Sequence, residues 1–426
     1  MKENIKIAIN RTGILAWSVC ALFYAFEFFL RSSTNALAPI FHSDFGFTVT
    51  ATSLIGSSFY WFYVIAQIPA GICVDRFGIK RVMMAATLLS TLGMLLFNFS
   101  SHPWQFIIAR ALIGFGGGFA FISSLKAAAI WLPSRVFPTF AGLTQLFGYL
   151  GGAVSGLPLI LLLQNFAIHM VLLTILIATA LLFIFSAIFI TTHPDYHSKR
   201  KSLINQKSPI KKNIITYLAL VKNPQLLING LYCLCICGTT AIFADLWGIS
   251  YFNHVFGYSE ESAAYACSLI FLGVAFSSPL WGFLATLIDN NKILLIISSA
   301  IGIFLLSVLL YIKVNLITLC ILCFLFGSVQ SVHVLNFTII ARQVDKKNLG
   351  IGVAFINLFI PLSGAIFQPI SGALIQIFEK TTSSQATAYE LAMLIIPILL
   401  IIATLLALAF NENKDLDSPL IYKTKP

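Results

Sequence analysis

The chain has 426 residues, of which 58% are hydrophobic and only 10% are charged. Soluble domains carry roughly 25% charged residues, so the composition excludes a water-soluble globular protein and indicates an integral membrane protein. The formal net charge of +11 does not indicate nucleic-acid binding, because nearly all the basic residues fall in predicted loops on one side of the membrane.

Twelve apolar runs follow one another along the chain, with turn-forming and helix-breaking residues between them. A helix needs roughly 20 residues to cross a bilayer. The first run is far longer than the roughly 7–15 apolar residues of a cleavable signal peptide, so we interpret it as a first span. The sequence predicts an all-α integral membrane protein with twelve spans, at 13–39, 51–74, 82–100, 104–127, 138–163, 166–192, 226–252, 263–287, 293–312, 315–340, 349–377 and 388–410.

A long polar segment divides the spans into two sets of six. It contains seven Lys and Arg residues and is expected to lie along the anionic inner leaflet. We predict an N-tail, an N-terminal six-helix bundle, a basic linker, a C-terminal six-helix bundle and a C-tail, at residues 1–12, 13–192, 193–225, 226–410 and 411–426.

The distribution of Lys and Arg predicts the orientation. Twenty-one of the 26 basic residues lie on one side of the twelve-span topology, whereas the opposite loops hold only Lys313 and Lys380. Loops on the cytoplasmic side are enriched in basic residues. Both termini are therefore expected in the cytoplasm, with the spans in a bacterial-type inner membrane.

The junction of the second and third spans reads GICVDRFGIKR at 71–81. This run resembles the loop 2–3 signature of the major facilitator superfamily, in which two glycines, an acid and three bases recur: Gly71, Asp75, Arg76, Gly78, Lys80 and Arg81. We expect Gly71 to permit close helix approach and Asp75 to lie near the end of a neighbouring helix. The fourth span, with Arg110 and Gly114, is also similar to a signature of this superfamily, and we include both residues in the conformational motif.

The second half carries a weaker copy of the first signature. The run from Gly282 to Lys292 has Thr286 where the first half has its acid. The resemblance implies two pseudo-symmetric six-helix bundles around a midplane cavity, which is reached alternately from either side.

Three segments, at 24–31, 241–251 and 364–372, look like one branch of the superfamily. That branch includes phagosomal amino-acid transporters and lysosomal dipeptide carriers, and it implies an amino acid or short peptide as solute. The first span also resembles organophosphate:phosphate antiporters, in which an arginine at the position of Arg31 binds phosphate. Those antiporters need a second arginine in the seventh span, whereas residues 226–252 contain no Lys or Arg.

Five charged side chains fall inside predicted spans: Glu27, Arg31, Arg110, Lys126 and Asp245. On insertion scales each costs about 2.5–3.5 kcal/mol at the centre of a span. We therefore expect these groups to line a cavity or to neutralise one another.

Glu27 and Arg31 are four residues apart and project from one face of the first helix. They form either a structural ion pair or a site in which Arg31 binds a substrate carboxylate while Glu27 accepts a proton. We hypothesise that Glu27 couples transport to protons.

Two of the remaining buried charges, Lys126 and Asp245, have two interpretations each. Lys126 either extends to the cytoplasmic surface or assists substrate binding. Asp245 either contacts a substrate ammonium group or forms hydrogen bonds at an outer gate. Arg110 is interpreted chiefly as structural.

A polar stripe marks one face of the tenth span, where Gln330, His333 and Asn336 recur at three-residue steps. Gln330 and Asn336, with Asn357 of the eleventh span, are candidate substrate ligands. His333 is a candidate proton-coupling group, because histidine titrates near neutral pH, although a packing role is the competing interpretation.

These features favour a proton-coupled secondary transporter of an amino acid or short peptide, with an organic anion or organophosphate as the alternative. No GxxxxGK[ST] loop is present, and we expect no ATP drive, cofactor or metal. The expected partners are the solute, protons and the lipid bilayer, with no nucleic acid, and the chain is expected to act as a monomer. A membrane enzyme or a sensor is disfavoured because the histidines form no catalytic array and the predicted tails are short.

Overall fold

The computed structural model describes residues 11–133, 136–191, 220, 222–288, 290–344 and 349–411. Twelve helices in these ranges are long and apolar enough to cross a membrane. In chain order they are α1 Arg11–Ser43, α2 Val49–Phe77, α3 Ile79–Asn98, α4 Pro103–Trp131, α5 Thr139–Asn165, α6 Ile168–Phe189, α7 Pro224–Phe256, α8 Glu260–Ile288, α9 Asn291–Tyr311, α10 Leu316–Gln343, α11 Ile351–Thr381 and α12 Gln385–Ala409.

The predicted all-α architecture with twelve spans is confirmed, and no helix end differs from its predicted position by more than four residues. The first ten residues, nearly all of the predicted linker and the C-tail from residue 412 lie outside the described residues. So does Asp289, which belongs to the second-half copy of the signature.

Several helices are interrupted, and proline explains two of the interruptions. The α5 helix stops at Val154 and resumes at Leu157, just before Pro158. The α12 helix is broken in the same way ahead of Pro397. A proline ring clashes with the carbonyl four residues earlier and donates no hydrogen bond, so each helix ends one turn before its proline.

Two further irregularities carry no proline. Residues Phe243–Trp247 of α7 form a π turn, and Ser331–His333 of α10 form a tighter 3₁₀ turn. Both kinds of turn disturb the regular backbone ladder and are frequent at functional sites. Both lie in helices that border the space between the two halves of the molecule.

The two halves repeat one packing scheme. In the first half α2 packs on α4, α1 on α5 and α3 on α6, and in the second half α8 packs on α10, α7 on α11 and α9 on α12. Glycines allow backbone contact at equivalent places. A Cβ at Gly114 of α4 would collide with the Phe59 carbonyl of α2, and one at Gly327 of α10 would collide with the Ile270 carbonyl of α8. Small residues permit such close approach of membrane helices.

Contacts between the halves follow the same symmetry, since α2 packs on α11, α5 on α8 and α1 on α7. We call the side where α1 ends and α2 begins the far side, and the side where α2 ends, marked by Arg76, the basic side. The close approaches lie towards the far side, where Gly372 abuts Ser53 and Gly156 abuts Ser268. The halves are therefore joined at the far side in this conformation.

Asn35 of α1 clamps the π turn of α7. Its Nδ2 donates to the Ala244 carbonyl at 2.7 Å, and its Oδ1 accepts from the Ile249 amide at 3.1 Å. These two backbone groups would bond each other if the π turn continued. One side chain from the first half thus satisfies a break in a helix of the second half.

We predict that Asn35→Leu weakens the closed far side. The substitution leaves two buried backbone groups without partners, at about 1–3 kcal/mol each, unless the far side opens to water. Spin labels at the exposed residues Ser43 and Ser259 report this opening by double electron–electron resonance, and the distance distribution should gain a longer component.

Asn165→Leu is the matched control, because the Asn165 amide bonds only within its own exposed helix end. Identical distance distributions for Asn35→Leu and the unaltered protein would contradict the assigned clamp.

Candidate functional site

Two adjoining pockets lie between the halves, and five residues line both: Phe28, Arg31, Tyr60, Tyr149 and Ile360. The first, here the aromatic pocket, is completed by Tyr24, Phe59, Tyr63, Gln67, Phe121, Gln145, Asn357 and Pro361. The second, here the α10 pocket, is completed by Cys237, Thr240, Ala241, Asp245, Phe271, Val274, Gln330, His333 and Ser363. A ligand in either pocket meets the same cation, Arg31.

The Arg31 guanidinium stacks on an aromatic ring. Its Cζ lies 3.6 Å from the centroid of the Phe28 ring, a cation–π contact that fixes the plane of the group. Such stacking occupies a face of the guanidinium and leaves its N–H groups directed outward in the plane, where they match a carboxylate or a similar anion. The side chain is 12% exposed, so it is reachable from the pockets.

Asp245, in the π turn of α7, is the carboxylate nearest Arg31. The Arg31 Nε lies 3.9 Å from Asp245 Oδ1, too far for a hydrogen bond, and Nε has no hydrogen-bond partner. Asp245 instead accepts hydrogen bonds from the Ser32 hydroxyl and, at 2.5 Å, from the Tyr60 hydroxyl. This carboxylate therefore links α1 and α2 to α7. Such a contact is of the kind expected if Asp245 forms hydrogen bonds at a gate.

Both terminal nitrogens of Arg110 in α4 are bonded to the backbone of α1. Its guanidinium donates to the Leu30 carbonyl and, at 3.0 Å, to the Arg31 carbonyl. The group also lies 4.9 Å from the Phe59 ring centroid. Arg110 is buried and absent from both pocket linings. It positions the turn of α1 that carries Arg31.

Glu27 lies one turn before Arg31 but is not its partner. The side chain is 1% exposed, and neither carboxylate oxygen has a hydrogen-bond partner. The structural ion pair between Glu27 and Arg31 is therefore absent from this conformation. Gly117 of α4 provides the space for this side chain, since a Cβ there would lie 2.5 Å from Glu27 Cγ.

The polar stripe of α10 divides among different surroundings. Gln330 and His333 line the α10 pocket. Asn336 is fully buried and lines neither pocket. Its side-chain amide has no hydrogen-bond partner, whereas its backbone carbonyl accepts from Asn229 Nδ2 at 3.1 Å. Asn357 of α11 lines the aromatic pocket. The structure thus brings three of these four residues to the pockets.

His333 links α10 to α5. Its Nδ1 lies 3.0 Å from the Gln330 carbonyl, which can only accept, so Nδ1 carries a proton. The neutral ring then accepts at Nε2 from the Tyr149 hydroxyl, 3.0 Å away. This hydrogen bond crosses between the two halves beside Arg31.

Lys126 does not reach the pockets. Its Nζ lies 2.7 Å from Asp75 Oδ1, with the two side chains 41% and 51% exposed, so it joins the basic ends of α4 and α2. The expected position of Asp75, near the end of a neighbouring helix, agrees with this contact. Such an exposed pair contributes at most about 1 kcal/mol, and a substrate-binding role for Lys126 has no support in this geometry.

One of the two glycines of the α2–α3 motif differs from expectation. A Cβ at Gly71 would meet nothing within 4 Å, so the expected close helix approach is wrong for this conformation. Gly78 has a φ of 84° in the tight turn between α2 and α3, a backbone region that is essentially restricted to glycine when ψ is extended. Its companion bases, Arg76, Lys80 and Arg81, lie around that turn on the basic side.

Sequence inspection missed the residues that hold the site together. Ser32 and Asn35 contact α7, and Tyr149 reaches His333. One signal was available for the first two, because the polar run Ser-Ser-Thr-Asn at 32–35 interrupts an otherwise apolar span. No comparable signal distinguishes Tyr149 from aromatic residues that only pack.

Comparison with known proteins identifies the family. A model described as Major Facilitator Superfamily matches residues 20–266 and 246–421. Among solved structures, a bacterial homologue of the human lysosomal transporter Spinster matches with a TM-score of 0.77 at 14% identity, over 94% of this chain and 97% of that one. A D-xylose–proton symporter matches with a TM-score of 0.71 at 14% identity, over 94% and 96%. These likenesses show the fold.

Curated relatives align over shorter stretches. The "probable sulfoacetate transporter SauU" of Cupriavidus necator is 28% identical over 203 residues, which are 47% of this chain and 45% of that protein. The hexuronate transporter of Bacillus subtilis is 32% identical over 130 residues, 30% of each chain. The "probable galactarate/D-glucarate transporter GudP" of Escherichia coli is 29% identical over 134 residues, also 30% of each. The chain thus spans less than half the length of these relatives.

The family model covers most of the chain, and the twelve-span fold agrees with it. The chain belongs to the major facilitator superfamily and is a secondary transporter of that type, not an enzyme.

Proposed function

We propose that this transporter carries a small organic anion by alternating access and that Arg31 binds the anionic group. The observation that carries the proposal is the position of Arg31, the one cation in the linings of both described pockets. Phe28 holds the guanidinium by its face, and the in-plane N–H groups suit a carboxylate or sulfonate.

The relatives support an anion rather than an amino acid. Their names specify sulfoacetate, hexuronate and galactarate or D-glucarate. The resemblance to amino-acid and dipeptide carriers finds no support among them. Asp245, which was considered as a contact for a substrate ammonium group, already accepts from Ser32 and Tyr60 and faces Arg31.

An organophosphate is less well supported. A phosphate ester concentrates close to two negative charges on one group at neutral pH, whereas each carboxylate or sulfonate of the solutes named above carries a single charge. The α7 helix contains no Lys or Arg, and Arg110 is committed to backbone carbonyls. A singly charged group, or an anion neutralised by an accompanying proton, fits Arg31 better.

The loose contact between Arg31 and Asp245 suits exchange of counter-ions. At 3.9 Å the pair neutralises charge without a hydrogen bond, so an incoming anion gains the charge-assisted hydrogen bonds that Asp245 does not make. Binding then alters a carboxylate that joins the halves, which relates substrate binding to opening of the far side.

Glu27 is the group proposed to carry a coupled proton. An ionised carboxylate that is buried without a hydrogen bond costs several kcal/mol, whereas its protonated form is far cheaper to bury. The Glu27 oxygens have no hydrogen-bond partner, so the neutral form fits this conformation. Release of the proton requires a conformation in which the carboxylate reaches water or a cation.

We further propose that the protein acts as a monomer in a bacterial cytoplasmic membrane, with the predicted bundles 13–192 and 226–410 and both termini on the cytoplasmic side. The basic side then faces the cytoplasm, as the distribution of Lys and Arg predicts. In this orientation the described conformation is closed towards the outside.

Uptake into proteoliposomes tests the substrate class. The panel comprises sulfoacetate, D-glucarate and a hexuronate against alanine, a dipeptide and glucose 6-phosphate. We expect an organic anion to be transported, and Arg31→Gln to lower its kcat/KM by about 10–100-fold, because hydrogen bonds to a charged group contribute about 1.5–3 kcal/mol. Lys126→Gln is the matched control and should leave KM unchanged. Preferred uptake of the amino acid or dipeptide would contradict the proposal.

Glu27→Gln tests the coupling role. The amide mimics a permanently protonated carboxyl, so we expect uptake driven by an imposed proton gradient to disappear while exchange of internal for external anion persists. Both activities are measured in the same vesicles, and the exchange rate serves as the control for folding. Undiminished gradient-driven accumulation would remove Glu27 from the coupling step.

A further inference from the structure

The two pockets that meet at Arg31 differ in chemistry. Apart from Arg31, the aromatic pocket is walled mainly by phenyl and phenol rings. The α10 pocket combines the polar side chains of Gln330, His333, Thr240 and Ser363 with apolar residues such as Phe271 and Val274. A ligand whose anionic group binds Arg31 therefore has two directions open to its remaining atoms, one into the ring-walled pocket and one towards Gln330.

Gln330 is the neutral side chain of the α10 pocket whose buried polar atoms lack hydrogen-bond partners. It is 1% exposed, and neither its amide oxygen nor its amide nitrogen has a hydrogen-bond partner. Two of its polar neighbours are occupied, since His333 bonds Tyr149 through Nε2 and Ser363 donates to the Ile360 carbonyl. The 3₁₀ turn that begins at Ser331 directly follows Gln330.

An unpartnered amide at this position is costly. Each buried donor or acceptor left without a hydrogen bond costs about 1–3 kcal/mol, and buried polar groups are paired in the great majority of cases. A ligand that supplies both missing partners recovers this cost on binding. The side chain is therefore suited to recognition rather than to packing.

The chemistry of the amide selects the complementary group. Its nitrogen donates and its oxygen accepts, so the matching group must also do both. A hydroxyl does so, whereas a carboxylate or sulfonate only accepts and would leave the amide oxygen of Gln330 facing negative charge. An alkyl chain would satisfy neither atom.

We propose that Gln330 is a specificity-determining residue that binds a hydroxyl of the substrate, and that the substrate is a hydroxylated carboxylic acid. This inference rests on the proposed function, because it requires the anionic group to bind Arg31. The carboxylate lies against Arg31 and Phe28, and the hydroxylated part extends into the α10 pocket. A site built to bind a hydroxyl rejects the analogue that lacks it, since the analogue leaves the amide unpaired.

The test uses matched acids with and without hydroxyls. D-glucarate is compared with adipate and D-gluconate with hexanoate, each as a competitor or substrate in proteoliposomes. The unaltered protein should prefer the hydroxylated member of a pair by at least tenfold. Gln330→Met should reduce that preference by tenfold or more, through weaker binding of the hydroxylated acid and unchanged or stronger binding of its partner.

Two controls separate this inference from the proposed function. Gln343→Met alters a glutamine of α10 that is in neither pocket lining, and it should keep the preference. Retained binding of adipate by Gln330→Met shows that the variant is folded. Gln330→Leu is a second variant that removes the amide, and it should lose the preference in the same way.

The outcomes are distinct. Three results would overturn the role of Gln330 while Arg31-dependent transport stands. The unaltered protein could bind both members of each pair equally, or Gln330→Met could lose both equally. The third result is transport of sulfoacetate in preference to all four acids. Anion transport that is unaffected by Arg31→Gln would overturn the anion site itself, and the inference with it.

Discussion

Arg31 places a full positive charge between two helix bundles, where an unpaired buried ion costs several kcal/mol. The Phe28 ring stacks on the guanidinium, and the Asp245 carboxylate lies 3.9 Å from its Nε. Arg110 holds the backbone of the α1 turn that carries Arg31. Because the carboxylate comes from the other half of the molecule, neutralising the charge also joins the halves. A ligand that competes for Arg31 thus competes with a contact of the closed conformation.

The same region explains why α7 is irregular. Asp245 lies in a π turn whose unpaired backbone groups are bonded by Asn35 of α1. A regular helix would have no free carbonyl for that side chain to bind. The irregular turn therefore creates a far-side contact that can be broken, with the freed groups returning to water or to a regular ladder. Such bistable contacts allow small changes at a site to produce a large rearrangement.

Much of the fold follows from the sequence alone, because hydropathy and loop charge are set by the membrane. The site was predictable in part: the cost of burying Arg31 and Asp245 marks them as functional, yet their pairing depends on two helices more than 200 residues apart in the chain. The spacing of Glu27 and Arg31 permitted an ion pair that the fold does not form. Side chains that bridge halves, such as Asn35, resemble ordinary polar residues in a span until the packing is known.

Anion affinity in Asp245→Asn tests the central claim most directly. The variant keeps one oxygen that can accept from Ser32 or Tyr60, and its amide nitrogen can donate to the oxygen of the other hydroxyl. It removes the charge that competes for Arg31. Equilibrium binding of sulfoacetate, D-glucarate or a hexuronate, whichever the transporter accepts, is compared between this variant and the unaltered protein. The account predicts tighter binding together with slower translocation, because the counter-ion is gone and the gate has lost its charge. Unchanged or weaker binding would contradict competition between Asp245 and the substrate for Arg31.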